Sequence, residues 1–304
     1  MWIIGCGYIG HRLARRVLEL GRPVQALTRS EASRRALAAA GIPALARDLT
    51  NQGLDDLAWG GEDLFLLAPP PPQGVQDGLT RRLVAHFHRH GHPRRLVYLS
   101  TTSVYGDCGD DWVDETRPPA PQADRSRRRW DAEECLRGWS RESGGEVVIL
   151  RVAGIYGPDR LPLERIRQGL PLVREEEAPW SNRIHADDLV EACLLAMDRG
   201  VPGAVYNACD GHPSTMTDYF LQVADAAGLP RPPLISLAEA AGILSAGMLS
   251  YLAESRRLSN RRLREELGLR FRYPHLAAGL KACGLGAGPP VAGSSWAGRR
   301  GEGG

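Results

Sequence analysis

The sequence predicts an α/β fold built on a parallel sheet wound on both faces by helices, and three features carry that prediction. Short apolar runs alternate with segments of helical period through the first half of the chain, the strand, helix, strand order of a parallel sheet. The first apolar run opens directly into a glycine-rich turn followed by an amphipathic helix. At 304 residues, with 43% apolar and 24% charged side chains, the chain is long enough for two lobes or one large α/β unit and has an ordinary globular balance.

Taken in order, strands are expected at residues 2–4, 23–27, 64–68, 95–100 and 146–151, with helices such as 11–20 and 79–90 between them. In the first helix Leu13, Val17 and Leu20 recur at i, i+4 and i+7, one apolar stripe. Beyond residue 151 the pattern loosens to a strand at 204–208, helices at 186–197 and 217–227, and a last helix near 260–267. The expected division is a first domain over 1–155, to which 184–210 returns, and a smaller, partly interleaved C-terminal α/β lobe over 156–283. From Gly284 onward Gly, Ser and Pro leave little to bury against the entropy of ordering, so a disordered tail is expected at 284–304. No internal repeat is visible.

Composition narrows the function. Thirty-eight basic against 36 acidic residues leave a net charge of +2, too little for the broad basic face that nucleic acid or an anionic membrane needs. No apolar run approaches the roughly 18 residues that span a bilayer. The expected partner is therefore a small-molecule substrate, with no nucleic acid and no membrane. Six cysteines form no CxxC pair and no metal-ligand spacing, which suits free thiols, and the N-terminus carries no export signal, so a cytoplasmic setting is expected. The only lysine is Lys281, which confines amine chemistry to one position.

The motif that carries most is Gly5-Cys6-Gly7-Tyr8-Ile9-Gly10, set between strand and helix. Gly5 permits the tight turn, Gly7 lets the backbone approach a pyrophosphate, and Gly10 lets the helix pack close to the strand. Tyr8 and Ile9 sit in the same turn, where the helix N-terminus favours anionic oxygens. This points to a Rossmann-type dinucleotide site. About 20 residues on, where an acid would select NAD, the second strand ends Thr28-Arg29-Ser30. Arg29 is a candidate for a 2′-phosphate, with Thr28 or Ser30 as added donor, so NADP(H) is favoured over NAD(H). The alternative is a solvated Arg29 with Glu31 supplying the acid. Asp48 and Leu49 stand where they could close over the adenine, although Asp48 also suits a turn. Ala68 and Pro69, at the start of Pro69 to Pro72, form a stiff wall at the next strand's carboxyl end.

The stretch Leu96-Val97-Tyr98-Leu99-Ser100-Thr101-Thr102-Ser103-Val104-Tyr105-Gly106 resembles the extended branch of the short-chain dehydrogenase/reductases, the NAD-dependent epimerase/dehydratases. Asp114-Glu115 with Pro118, Arg151 to Pro158, Asn182-Arg183-Ile184-His185-Ala186-Asp187-Asp188 and Val205-Tyr206-Asn207-Ala208 follow in the family's order. The glycine spacing and the ending Ser259-Asn260-Arg261-Arg262-Leu263 resemble an atypical, YeeZ-like subgroup. The resemblance covers about residues 1–280. It implies that Thr101 hydrogen-bonds the substrate oxygen, and that two copies pair through helices beside the active site as a homodimer.

One departure matters. The family's general acid/base Tyr and its Lys four residues later correspond here to Arg125 and Arg129. Arginine stays protonated and cannot exchange a proton with substrate. Three readings follow: an oxidoreductase in which Tyr105 or Tyr156 replaces the acid and Arg125 or Arg129 stabilises an oxyanion or clamps an acidic substrate; an NADP-binding sensor or regulatory protein without turnover; and a sugar-nucleotide epimerase or dehydratase. The arginine run could also be a solvated helix face.

Other signals have plainer readings. His86, His88, His90 and His92 suit a solvated helix end rather than a metal site, and no metal is expected. His185 and Asp188 match the family's HxxD pattern, with Asp187 or Asp188 as a helix cap. Arg183 could reach a substrate phosphate or form a surface ion pair, and Glu175-Glu176-Glu177 suits an exposed loop.

Overall fold

The computed structural model describes residues 1–286. The first half alternates β1 (Trp2–Ile4), α1 (Tyr8–Glu19), β2 (Gln25–Thr28), α2 (Glu31–Ala39), β3 (Ala44–Ala46), β4 (Asp63–Leu66), α3 (Gly78–His90) and β5 (Arg95–Thr101). A short strand, β6 (Trp112–Val113), precedes the long α4 (Asp124–Ser143) and β7 (Glu146–Val152). The chain continues through β8 (Gly154–Tyr156), α5 (Leu163–Arg167), β9 (Leu172–Val173), β10 (Trp180–Ser181), β11 (Arg183–His185), α6 (Ala186–Arg199) and β12 (Val205–Ala208). It closes with β13 (Ser214–Thr215), α7 (Met216–Ala226), β14 (Leu234–Ile235), α8 (Leu237–Ile243), α9 (Ala246–Leu252), β15 (Arg257–Leu258), α10 (Arg261–Glu265) and α11 (Leu276–Ala282).

Seven strands form one sheet in the order β12-β7-β5-β4-β1-β2-β3, every pairing parallel. Side chains alternate between its faces, and both faces are covered. On one, Ile3, Ala26, Phe65, Val97 and Val148 pack against Leu13 and Val17 of α1 and Leu189 and Cys193 of α6. On the other, Ile4, Leu66, Tyr98 and Ile149 meet Leu83 and Phe87 of α3 and Leu136 and Trp139 of α4. Burial on both sides is why these strands read as continuous apolar runs. The order reverses at β1, which lies between β2 and β4, and that switch point opens a crevice at the strands' carboxyl ends.

The remaining strands form four two-stranded ladders, β8 with β11, β9 with β14, β10 with β13 and β6 with β15. Tyr156 of β8 and Leu172 of β9 join Ile166, Phe220, Val223 and Leu280 in a smaller core, while Val113 of β6 and Leu258 of β15 pack with Tyr105 and Cys209 in another. Between these pieces the chain goes back to the main sheet, where β12 pairs with β7 and α6 packs on α1.

Several local expectations change. The second strand begins at Gln25 and extends to Thr28. The helix near 260–267 shortens to α10 with Asn260 before it, and it is not the last, since α11 follows at Leu276–Ala282. His86 is not on a solvated helix end: it is fully buried, its Nε2 donating to the Leu57 carbonyl oxygen at 2.9 Å with Trp59 edge-on. Asp55, His86 and His90 approach one another, their nitrogen and oxygen atoms within 4.8 Å, and the two imidazoles are stacked at 4.5 Å and 17°. Order also passes Gly284, since Leu285 packs on the smaller core and the Gly286 amide donates to Ala226. The rest of the expected tail lies outside the described residues.

Candidate dinucleotide site and adjoining cavity

The glycine turn is built by three different demands. Gly5 has φ +94°, and a Cβ there would collide with the Ala68 backbone, so β1 and β4 approach this closely only without a side chain. At Gly10 a Cβ would lie 2.8 Å from the Gly5 carbonyl oxygen. Gly7 has nothing within 4 Å of such an atom: its open side faces the crevice. Helix α1 starts there with no side-chain cap and no acid in its first turn, leaving backbone N–H groups free for anionic oxygens. A dinucleotide pyrophosphate fits this cradle.

The crevice is a cavity of about 730 Å³ lined by Gly5, Gly7, Tyr8, Ile9, Gly10, Thr28, Arg29, Asp48, Leu49, Ala68 and Pro69. Ser30 is not in that lining. Its hydroxyl caps α2 by accepting the Ser33 amide, and Ser33 takes the place at the wall. The acids after β2 are engaged elsewhere. Glu31 holds Arg34 and Arg35, and the Arg34 hydrogen bond keeps its carboxyl down at about 2. Asp48 accepts the hydroxyl and amide of Thr50, which lowers its carboxyl below the usual range and closes a turn at the cavity edge. Arg47 and Arg160 line the same space without a sequence signal, Arg160 lying 4.7 Å over the Tyr8 ring.

A second cavity, of about 680 Å³, adjoins the first, and Pro69, Pro70, Arg129, Val152 and Ile155 line both. Thr101 lies in it at the end of β5, where its hydroxyl receives the Ser103 amide and stands 3.2 Å from the Ser103 hydroxyl. Ser126 of α4 donates to Ser103 at 2.8 Å, so three hydroxyls run from α4 to the cavity. Arg129 reaches the junction with Nη1 on the Leu99 carbonyl at 3.0 Å and the Tyr98 hydroxyl at 3.2 Å. Arg125 lies one turn earlier, bonded to Ser250 at 2.5 Å, stacked on Tyr251 at 4.3 Å and 3.8 Å from Glu254. The arginine run is thus not a uniformly solvated face.

Neither tyrosine considered as a replacement acid serves. Tyr105 is 1% exposed, outside the cavity lining, and donates to Asn207 Oδ1 at 2.8 Å, while burial pushes its phenol up to about 12. Tyr156 borders the cavity, but its hydroxyl is sealed against Gly279 of α11 with no partner, and burial raises its pKa strongly. Beneath the site Glu133, fully buried, accepts Ser100 at 2.5 Å and Arg151 at 2.8 Å.

Arg183 is no surface residue. It is 6% exposed, donates to Ser181, Ser214 and the Thr215 carbonyl, and stacks on Tyr219 at 4.2 Å. His185, not an aspartate, caps α6 by accepting the Asp187 amide, whereas Asp188 accepts the Arg272 and Tyr273 amides.

Comparison with known proteins sets this geometry in context. The model of the NAD dependent epimerase/dehydratase family matches residues 76–209. A solved structure described as a functionally unknown conserved protein from Silicibacter pomeroyi superposes with a TM-score of 0.78 and 32% identity, over 93% of this chain and 97% of that one. The chain belongs to the NAD-dependent epimerase/dehydratase family. It is similar to Protein YeeZ of Escherichia coli K12, 28% identical over 90% of this chain and 95% of that protein. It is also similar to human dTDP-D-glucose 4,6-dehydratase, 29% identical over 42% of this chain, a match that spans only 39% of the human protein's length. No helix among the described residues is long and apolar enough to cross a membrane.

Proposed function

We propose that this epimerase/dehydratase-family protein binds NADP(H) along the glycine turn and uses it as an oxidoreductase on a small carbonyl or hydroxyl compound. The observation that carries this reading is the pair of cavities meeting at Arg129, so that a dinucleotide lying on the glycine turn would end where Thr101 begins. When bound, the nicotinamide supplies or accepts the hydride. Thr101, with its hydroxyl backed by Ser103 and Ser126, would donate a hydrogen bond to the substrate oxygen. Arg129 would hold the charge that develops there and keep it next to a permanent cation. With the Tyr98 phenol fully buried behind Arg129 and the Tyr156 hydroxyl sealed against Gly279, the proton on that oxygen would come from water. The preference for the phosphorylated dinucleotide rests on Arg29 at the cavity wall, since Glu31 and Asp48 are both engaged.

The buried phenols of Tyr105 and Tyr156 favour one alternative, an NADP-binding sensor without turnover. Two measurements separate the possibilities. Thermal shift with NADPH and NADH is expected to show stabilisation by NADPH, weakened in Arg29→Ala; stabilisation by NADH alone would reverse the cofactor assignment. Absorbance change of NADPH with a panel of carbonyl compounds is expected, and binding without any turnover would leave the sensor reading. The proposal includes a cytoplasmic setting, consistent with six free cysteines, and a homodimer, which sedimentation velocity would reveal.

A further inference from the structure

Helix α3 ends with two histidines one turn apart, His86 and His90, and the segment between β3 and β4 brings Asp55 to them. Residues four apart lie on one face of a helix. Each of the three side chains places a nitrogen or oxygen donor atom within 4.8 Å of the other two. His90 Nε2 lies 3.2 Å from Asp55 Oδ1, and the two imidazole rings are 4.5 Å apart. None of the three lines the dinucleotide cavity or the one adjoining it.

His86 is the member that packing alone does not explain. It is fully buried, with Trp59 edge-on at 5.1 Å. Its Nε2 meets the Leu57 carbonyl oxygen at 2.9 Å, whereas its Nδ1 is buried and has no partner. A buried polar atom without a partner is costly, and an apolar ring would fill the same space without that cost. A neutral imidazole keeps one lone pair, and moving its proton between the two nitrogens lets it offer that pair on either side. Contact between one ring nitrogen and a peptide carbonyl is also how metal-ligating histidines are commonly oriented.

The cluster is graded from solvent inward. The Asp55 side chain is 75% exposed and that of His90 35%, with His86 behind them, so an ion would enter at the carboxylate and shed its water in steps. Asp55 is the polar contact of the His90 ring among the described residues. That ring can therefore turn onto an ion without breaking a bond outside the cluster. Two imidazole nitrogens and one carboxylate oxygen suit zinc and its first-row neighbours, whereas magnesium and calcium favour oxygen ligands throughout.

We propose that Asp55, His86 and His90 bind one divalent transition-metal ion of the zinc class, which clips the segment between β3 and β4 to the last turn of α3. The start of that segment, Arg47 to Thr50, lines the dinucleotide cavity, so the clip fastens the chain just beyond the cavity edge. The ion's role is structural, and the proposal does not depend on what the cavities bind.

Calorimetric titration with Zn²⁺ of the full chain, stripped with a chelator and then freed of it, tests the proposal. One equivalent is expected to bind and to raise the melting temperature. His90→Ala and Asp55→Asn, both at accessible side chains, are each expected to weaken Zn²⁺ by about tenfold or more, with the melting temperature of the ion-free chain nearly unchanged. His88→Ala removes a neighbouring exposed histidine outside the cluster and is expected to leave Zn²⁺ affinity as it was. His86→Phe is expected to abolish binding; if it does not fold, His90→Ala and Asp55→Asn carry the test. Absence of Zn²⁺ binding, unchanged affinity in His90→Ala or in Asp55→Asn, or an equal loss in His88→Ala overturns the proposal.

Discussion

At the scale of single residues, Gly7 and Gly5 show how one motif contains two kinds of necessity. Gly5 is required by the protein itself, since a side chain would meet the β4 strand end at Ala68 in a backbone conformation that L-residues avoid. Gly7 is required by nothing in the fold. Gly7→Ala is therefore expected to leave the melting temperature nearly unchanged while weakening NADPH by about tenfold or more; Gly5→Ala is expected to lower both. Equal behaviour of the two variants would remove the pyrophosphate from this turn. The turn's role was legible because steric demands on glycine are local. Ser30 was not, because whether a hydroxyl after a strand caps the next helix or faces a ligand depends on where the helix starts.

At the scale of elements, the neighbourhood of Arg125 is the least legible part of the site. Helices α8 and α9 bury only Ala240 between them, yet Met248, Tyr251 and Glu254 form part of the cavity wall. Arg125 fastens α9, through Ser250, the Tyr251 ring and Glu254, whereas α8 is held at its start by Glu177, which accepts the Leu237 amide. Arg125 acts here as a tether between α4 and α9. Elements with so few buried contacts open at low free energy. Arg125→Ala is expected to speed amide hydrogen exchange across α9, 246–252, with exchange in the main-sheet strands unchanged; unaltered exchange in α9 would show that it is held by something else. Helix α4 runs to Ser143 and buries Leu136 and Trp139, although its surface is too polar for a clear apolar stripe in the sequence.

Across the whole molecule, two lobes are joined by buried polar groups as well as apolar packing. Within the main-sheet lobe Glu133 of α4 ties Ser100 of β5 to Arg151 of β7 beneath the cavities. Asp210, just after β12, donates its amide to the Arg183 carbonyl of the smaller lobe and accepts the His212 amide. Burial raises its carboxyl from 3.8 to about 6. Because the folded state holds this proton more tightly than the unfolded chain, its contribution is lost as pH rises from about 4 through about 6, a loss of roughly 3 kcal/mol once the carboxyl is ionised. Asp210→Asn, which keeps the acceptor for His212, is expected to stabilise the protein at pH 7 and change little at pH 4, measured by urea unfolding at both. The same gain at both values would assign the effect to packing instead of ionisation.

The sequence by itself determined the parallel sheet and the glycine turn, because each is written in neighbouring residues whose sterics or periodicity act over a few positions. Only the tertiary structure decided which polar groups face the cavities and which are turned inward. Tyr105 meets Asn207, Tyr156 is sealed beneath Gly279, and Arg183 lies buried with no carboxylate partner. Those outcomes depend on contacts between residues far apart in the chain, where desolvation and partner geometry, not residue type, set what a side chain can do.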